Sequence, residues 1–128
     1  MNTEANAGRL GLDWDDTASD YPAAFGSLCR AFHSVVIITL NHGLTLDEAE
    51  RRLGCRIEGI EYCPDDAVIG GTSHIWKAET CRRLGVDLMF DDDLDVVKEC
   101  IKAGVHAIGV TPLLRGDGDG GIAAIISA

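Results

Sequence analysis

Residues 34–41 read SVVIITLN, and residues 35–39 are an unbroken run of β-branched side chains. Such a run leaves no polar face for water, so it reads as a strand covered on both sides. Doubly covered strands belong to parallel sheets, and parallel neighbours must be joined by crossovers, usually helical. The flanking sequence should therefore alternate helix and strand.

It does so in both directions. Downstream, TLDEAERRLG (45–54) carries a capping box, Thr45 with Glu48, and stops on Gly54. Upstream, DYPAAFGSLCRAFH (20–33) sets Phe25, Leu28, Cys29 and Phe32 on one helical stripe with Pro22 in the first turn. Before it, RLGLDWD (9–15) reads as a first strand. RIEGIEYC (56–63) is a third, weaker strand, PDDAVIGGTS (64–73) a loop, and HIWKAETCRRLG (74–85) a helix closed by Gly85. VDLMFDD (86–92) is a fourth strand and DLDVVKECIKAG (93–104) a helix with Asp93 as N-cap and Gly104 as terminator. HAIGVTP (106–112) is a fifth strand. About five strands alternating with four helices predict a three-layer, doubly wound, Rossmann-like α/β fold. One domain is expected over residues 1–128, with its core at 9–112. The stretch 113–128 is left open, IAAIIS offering a short strand or helix. Within it GDGDGG (116–121) reads as a turn, because an EF-hand would need a glutamate where Ala128 stands.

Composition narrows the function. Hydrophobic residues make up 46% of 128, enough for one ordinary core. The formal net charge of −10 disfavours general nucleic-acid or anionic-membrane binding. Five cysteines without a CxxC argue against a disulfide framework or a zinc ribbon and read as reduced thiols. The first residues lack the basic start and apolar run of a signal peptide, and nothing approaches the roughly 20 apolar residues of a membrane span. A soluble cytoplasmic protein is the expectation.

Ligands of open α/β sheets bind beyond the carboxyl ends of the strands. Strand one ends in Asp13, Asp15, Asp16 and Thr17, strand two in Thr39 and Asn41, and strand four in Asp91 and Asp92. Lys77 sits near the start of the helix after strand three. Clustered carboxylates repel unless something holds them, and a hard cation is one such thing. Other polar or aromatic residues nearby are plainer: His42 and His74 are read as bystanders, Trp14 and Trp76 as packing.

These residues resemble a known pattern. DWDDT (13–17) is similar to the DxDxT first motif of the haloacid dehalogenase (HAD) superfamily, and VVIIT (35–39) to its second, an apolar strand ending in Thr or Ser. WKAE (76–79) resembles the lysine-bearing third motif and LMFDD (88–92) the acidic fourth. The matches fall in the superfamily's order. Receiver domains of response regulators share the ingredients in a different order, with the phosphorylated Asp after strand three, where this chain has EYC.

The resemblance implies a Mg²⁺-dependent phosphomonoester hydrolase. Asp13 would be the nucleophile forming an aspartyl-phosphate, and Asp15 the general acid and base. The polar DTASD would supply the loop that lets both face one substrate. Mg²⁺ would be held by the Asp13 carboxylate, the Asp15 backbone carbonyl and Asp92, with Asp91 in support; an Asp91/Asp95 register is the alternative. Thr39 and Lys77 would bind the phosphoryl group, and Asn41 would line the same place. Retention of Asp15 favours phosphoryl chemistry over dehalogenation, since halide needs no proton. Alternatives are a catalytically degenerate domain that binds Mg²⁺ or phosphate, and phosphotransfer to an acceptor other than water.

Neither site at which relatives insert a cap offers more than a helix or a loop, so a capless member is implied. Its substrate would be a small phosphomonoester or a phosphate exposed on a larger molecule, with a homodimer as one way of covering the pocket.

Overall fold

The structure is a computed structural model describing residues 7–113. Five parallel strands are formed by β1 (Ala7–Leu12), β2 (Phe32–Thr39), β3 (Gly59–Tyr62), β4 (Leu88–Asp91) and β5 (His106–Gly109). Their spatial order is β3-β2-β1-β4-β5, all neighbours parallel. The chain winds outward from β1 to β3, then returns to the other side of β1 as β4. The switch point therefore lies between the ends of β1 and β4.

Strand alternation divides the core. Leu10, Leu12, Val35 and Ile37 face helices α1 (Pro22–Cys29) and α2 (Leu46–Leu53), meeting Phe25, Cys29, Ala49 and Leu53. Val36, Ile38 and Met89 face α4 (Ser73–Leu84) and α5 (Leu94–Lys102), meeting Ala78, Cys81, Val96 and Cys100. Both faces of β2 are thus buried, as its β-branched run requires. Each fully buried side chain of this kind contributes about 1.5–3 kcal/mol. The two crossovers on the first face pack closely. A Cβ on Gly26 of α1 would lie 2.1 Å from the Leu53 carbonyl oxygen, so only glycine lets α1 settle on the end of α2.

Local signals end the helices where expected. Thr45 Oγ1 accepts from Glu48 N at 3.1 Å, and Asp93 Oδ1 from Asp95 N at 2.9 Å. Gly54 and Gly85 close their helices in the left-handed conformation, at φ 67° and 68°.

Three readings need correction. PDDAVIGGTS holds a short helix, α3 (Asp65–Ile69). None of its residues is buried, so it leaves no apolar period to read, while acids at 65 and 66 suit a helix start. The first strand stops at Leu12, before the aspartates, because the chain turns just after Asp13, over Trp14–Ala18. Phe32 and His33 belong to β2, since α1 ends at Cys29.

Among the described residues no cap is present: β1 and β2 are linked through one turn and α1, and β3 and α4 through α3 alone. No helix there is long and apolar enough to cross a membrane. The readings placed on 114–128 fall outside the described residues.

Candidate metal centre

Beyond β1 the backbone makes a wide turn over Trp14–Ala18, with Asp15 extended and Asp16 left-handed at φ 63°. Asp tolerates that conformation better than most residues, and Asp16 N donates to Ser19 Oγ at 3.2 Å. Trp14 and Ala18 are sunk in the first core and anchor the turn. The Arg52 guanidinium lies over the Trp14 ring, 5.6 Å from its centroid. Asp13 N still bonds to Phe90 O at 3.0 Å, which ties the turn to β4.

Asp13, Asp91 and Asp92 consequently meet, one oxygen of each within 4.8 Å of the others. Lys77 reaches them from the second turn of α4, and its Nζ donates to Asp13 Oδ1 at 2.7 Å and Asp91 Oδ2 at 2.8 Å. Lys77 is 4% exposed and Asp91 1%, so water does little to screen these contacts. Asp91 Oδ1 accepts from Asp93 N at 2.9 Å, so both its oxygens are engaged. The Thr17 hydroxyl shares its hydrogen between Asp13 Oδ2 at 3.0 Å and Asp92 Oδ1 at 3.3 Å. Asp92, only partly buried, is the least committed of the three.

Three carboxylates against one ammonium leave two negative charges unbalanced in a buried place. The proton affinities reflect this. Burial pushes the Asp13 carboxyl up to about 8; Lys77 opposes the rise, while Asp91 and a hydrogen bond with Asp92 add to it. Asp91 is likewise raised by burial against the pull of Lys77. Burial alone would lower Lys77, but Asp13 and Asp91 together hold its ammonium above the ordinary lysine value. The donor set is all oxygen, convergent and short of two positive charges, which fits a hard divalent cation such as Mg²⁺.

An open cleft of about 280 Å³ borders the cluster, and Asp13, Asp15, Thr39, Ser73, Lys77 and Asp92 are among the residues that line it. Thr39 is almost fully buried, and its Oγ1 accepts from Asn41 N at 2.9 Å, leaving the hydroxyl hydrogen for another partner. Asp15 is exposed, with its carboxylate outside the acidic cluster. Asn41 is absent from the cleft lining; its Oδ1 accepts from Gly43 N, and its Nδ2 donates to Asp15 Oδ1 at 3.4 Å. Asp95 is exposed and outside the cluster, which leaves the Asp91/Asp95 register without geometric support. His42 bonds through its ring to Cys63 O at 2.6 Å, Trp76 packs on the second core, and His74 does not line the cleft.

Thr17 and Ser73 join the site without a role that the sequence alone assigns them. The spacing of Thr17, four residues after Asp13, was the available signal: one wide turn brings such a pair face to face. Ser73 carried none, because its place depends on α3.

No family model matches the chain, and no curated protein matches it closely enough to count as a relative.

Proposed function

We propose that the protein is a divalent-cation-dependent phosphomonoesterase of the HAD type. One observation carries this reading: the Asp13 carboxylate, the Asp91–Asp92 pair and Lys77, remote in sequence, converge at the switch point of a parallel sheet.

In this reading Asp13 attacks phosphorus, forming a carboxylate–phosphorus bond as the ester oxygen leaves. Asp15, exposed at the cleft rim, gives its proton to the departing alkoxide. It then takes a proton from the water that cleaves the aspartyl-phosphate. Lys77 holds Asp13 in place and offsets phosphoryl charge, and Thr39 donates to a phosphoryl oxygen, each such contact being worth roughly 3–4 kcal/mol at the transition state. Asp13, Asp91 and Asp92 would hold Mg²⁺, which supplies the positive charge that lets a carboxylate approach a phosphate dianion. With no cap over the cleft among the described residues, a small phosphomonoester or a phosphate exposed on a larger molecule fits equally.

The test is hydrolysis of an aryl phosphate with Mg²⁺ and with excess chelator. Activity should need the ion and vanish in Asp13→Asn. Full turnover in Asp13→Asn removes the nucleophile assignment. Beryllofluoride binding with no turnover on a broad phosphate panel would make this a phosphate-binding domain instead.

A further inference from the structure

A second, larger cleft of about 510 Å³ opens at the opposite end of the sheet, beside the start of β2 and the approach to β3. Cys29, Arg30, His33, Ser34, Cys55 and Arg56 are among the residues that line it. The close seating of α1 on α2 builds it. Gly26 rests on the Leu53 carbonyl, and Cys29, three residues on, and Cys55, two residues past Leu53, line the cleft together. Cys29 is part of the first core, and the half-buried Cys55 packs against that core. The two thiols affect each other directly: burial first, then a hydrogen bond and charge from Cys55, push the Cys29 thiol up to about 12.

The charge around them is opposite to that of the chain. Arg30 and Arg56 are exposed, and neither makes an ion pair among the described residues. The acid of the cleft, Glu58, is taken by Arg9 at 3.1 Å. A protein with net charge −10 thus presents here a small basic surface with a thiol pair at its base.

We propose that Cys55 and Cys29 form a redox-active dithiol whose oxidant is a small anionic disulfide held by Arg30 and Arg56. The Cys55 thiolate, the more accessible, attacks one sulfur of the reagent; the reagent's S–S bond breaks and one thiol departs. The mixed disulfide on Cys55 is then attacked by Cys29, in a slow step because this raised thiol must first yield its proton to solvent, and the second thiol departs. Two protein thiols lose two electrons and two protons, and one disulfide becomes two thiols. The other three cysteines are poor competitors: Cys63, Cys81 and Cys100 are fully buried, and none lines the cleft.

The experiment treats the full chain, reduced and metal-free, at low salt with glutathione disulfide, which is anionic, or cystamine, which is cationic. Peptide mass mapping follows the products over time. The expected product is a Cys29–Cys55 cross-link, formed roughly tenfold faster with the anionic reagent, and Arg30→Ala/Arg56→Ala should erase that preference. Cys29→Ser should accumulate mixed disulfide on Cys55, and Cys55→Ser should leave Cys29 reduced. Circular dichroism of each variant verifies folding, and the wild-type cross-link stands as a readout that needs no variant. Failure of the link to form, pairing of Cys55 with another cysteine, or equal rates with both reagents would overturn the proposal.

Discussion

Lys77 Nζ lies 2.7 Å from Asp13 Oδ1 and bridges to Asp91 as well, so one ammonium joins the ends of β1 and β4 through α4. All three groups are nearly excluded from water, so removing one leaves the others uncompensated. Lys77→Met should therefore abolish the proposed phosphatase activity and lower stability by about 3 kcal/mol at pH 8. Chemical denaturation at pH 8 and pH 5 checks it: the loss should shrink at pH 5, where a proton on Asp13 stands in for the missing charge.

The raised Asp13 carboxyl sets a pH dependence whose sign follows from linkage. Its folded value, about 8, lies above the ordinary 3.8, so between these limits the metal-free folded state binds more protons than the unfolded one. This group's contribution to stability is full below pH 3.8 and is lost as pH rises through about 8. An ion held by the same carboxylate must displace that proton. Mg²⁺ affinity should rise with pH up to about 8, with proton uptake by the buffer seen in calorimetry with buffers of different ionisation enthalpy. Affinity independent of pH from 6 to 8 would contradict the assignment.

Thr17 orients two of the three carboxylates with one hydroxyl. Thr17→Val keeps the shape and removes the hydrogen bond, so Mg²⁺ binding should weaken roughly tenfold. Stability should fall by about 1 kcal/mol. Titration with Mg²⁺, beside thermal melts of the metal-free protein, separates the two effects.

Asp15 stands at the cleft rim, where a leaving group would depart, and Asn41 holds one of its oxygens. Asp15→Asn should lower the rate at which an alkyl phosphate phosphorylates Asp13, read in a single turnover, roughly 10²–10⁴-fold. It should cost a nitrophenyl ester much less, because that leaving group departs without a proton. Equal losses on both would argue against an acid role.

Gly26→Ala would drive a methyl group against the Leu53 carbonyl oxygen. Backbone cannot swing aside as a side chain can, so about 1–3 kcal/mol of stability should be lost, measurable by denaturant unfolding. The metal centre, at the far end of the sheet, should keep its Mg²⁺ affinity in the folded fraction.

Periodicity and caps were legible in the chain alone. The run 35–39 specified a strand buried on both faces, Thr45 and Asp93 marked helix starts, and Gly54 and Gly85 marked stops. Such signals act within a few residues, so they survive in the sequence. They also place polar residues at the ends of particular strands, which is why Asp13, Asp91, Asp92, Thr39 and Lys77 could be named as candidates.

What only the tertiary structure decided is which strand ends touch. The order β3-β2-β1-β4-β5 sets β1 beside β4, and that adjacency makes three aspartates one cluster and gives Lys77 two partners. The turn at Trp14–Ala18, the position of Thr17, the helix at Asp65–Ile69 and the cleft shared by Cys29 and Cys55 depend on the same packing. Each arises from contacts between remote segments, and no local pattern records a distance that exists only after the sheet has formed.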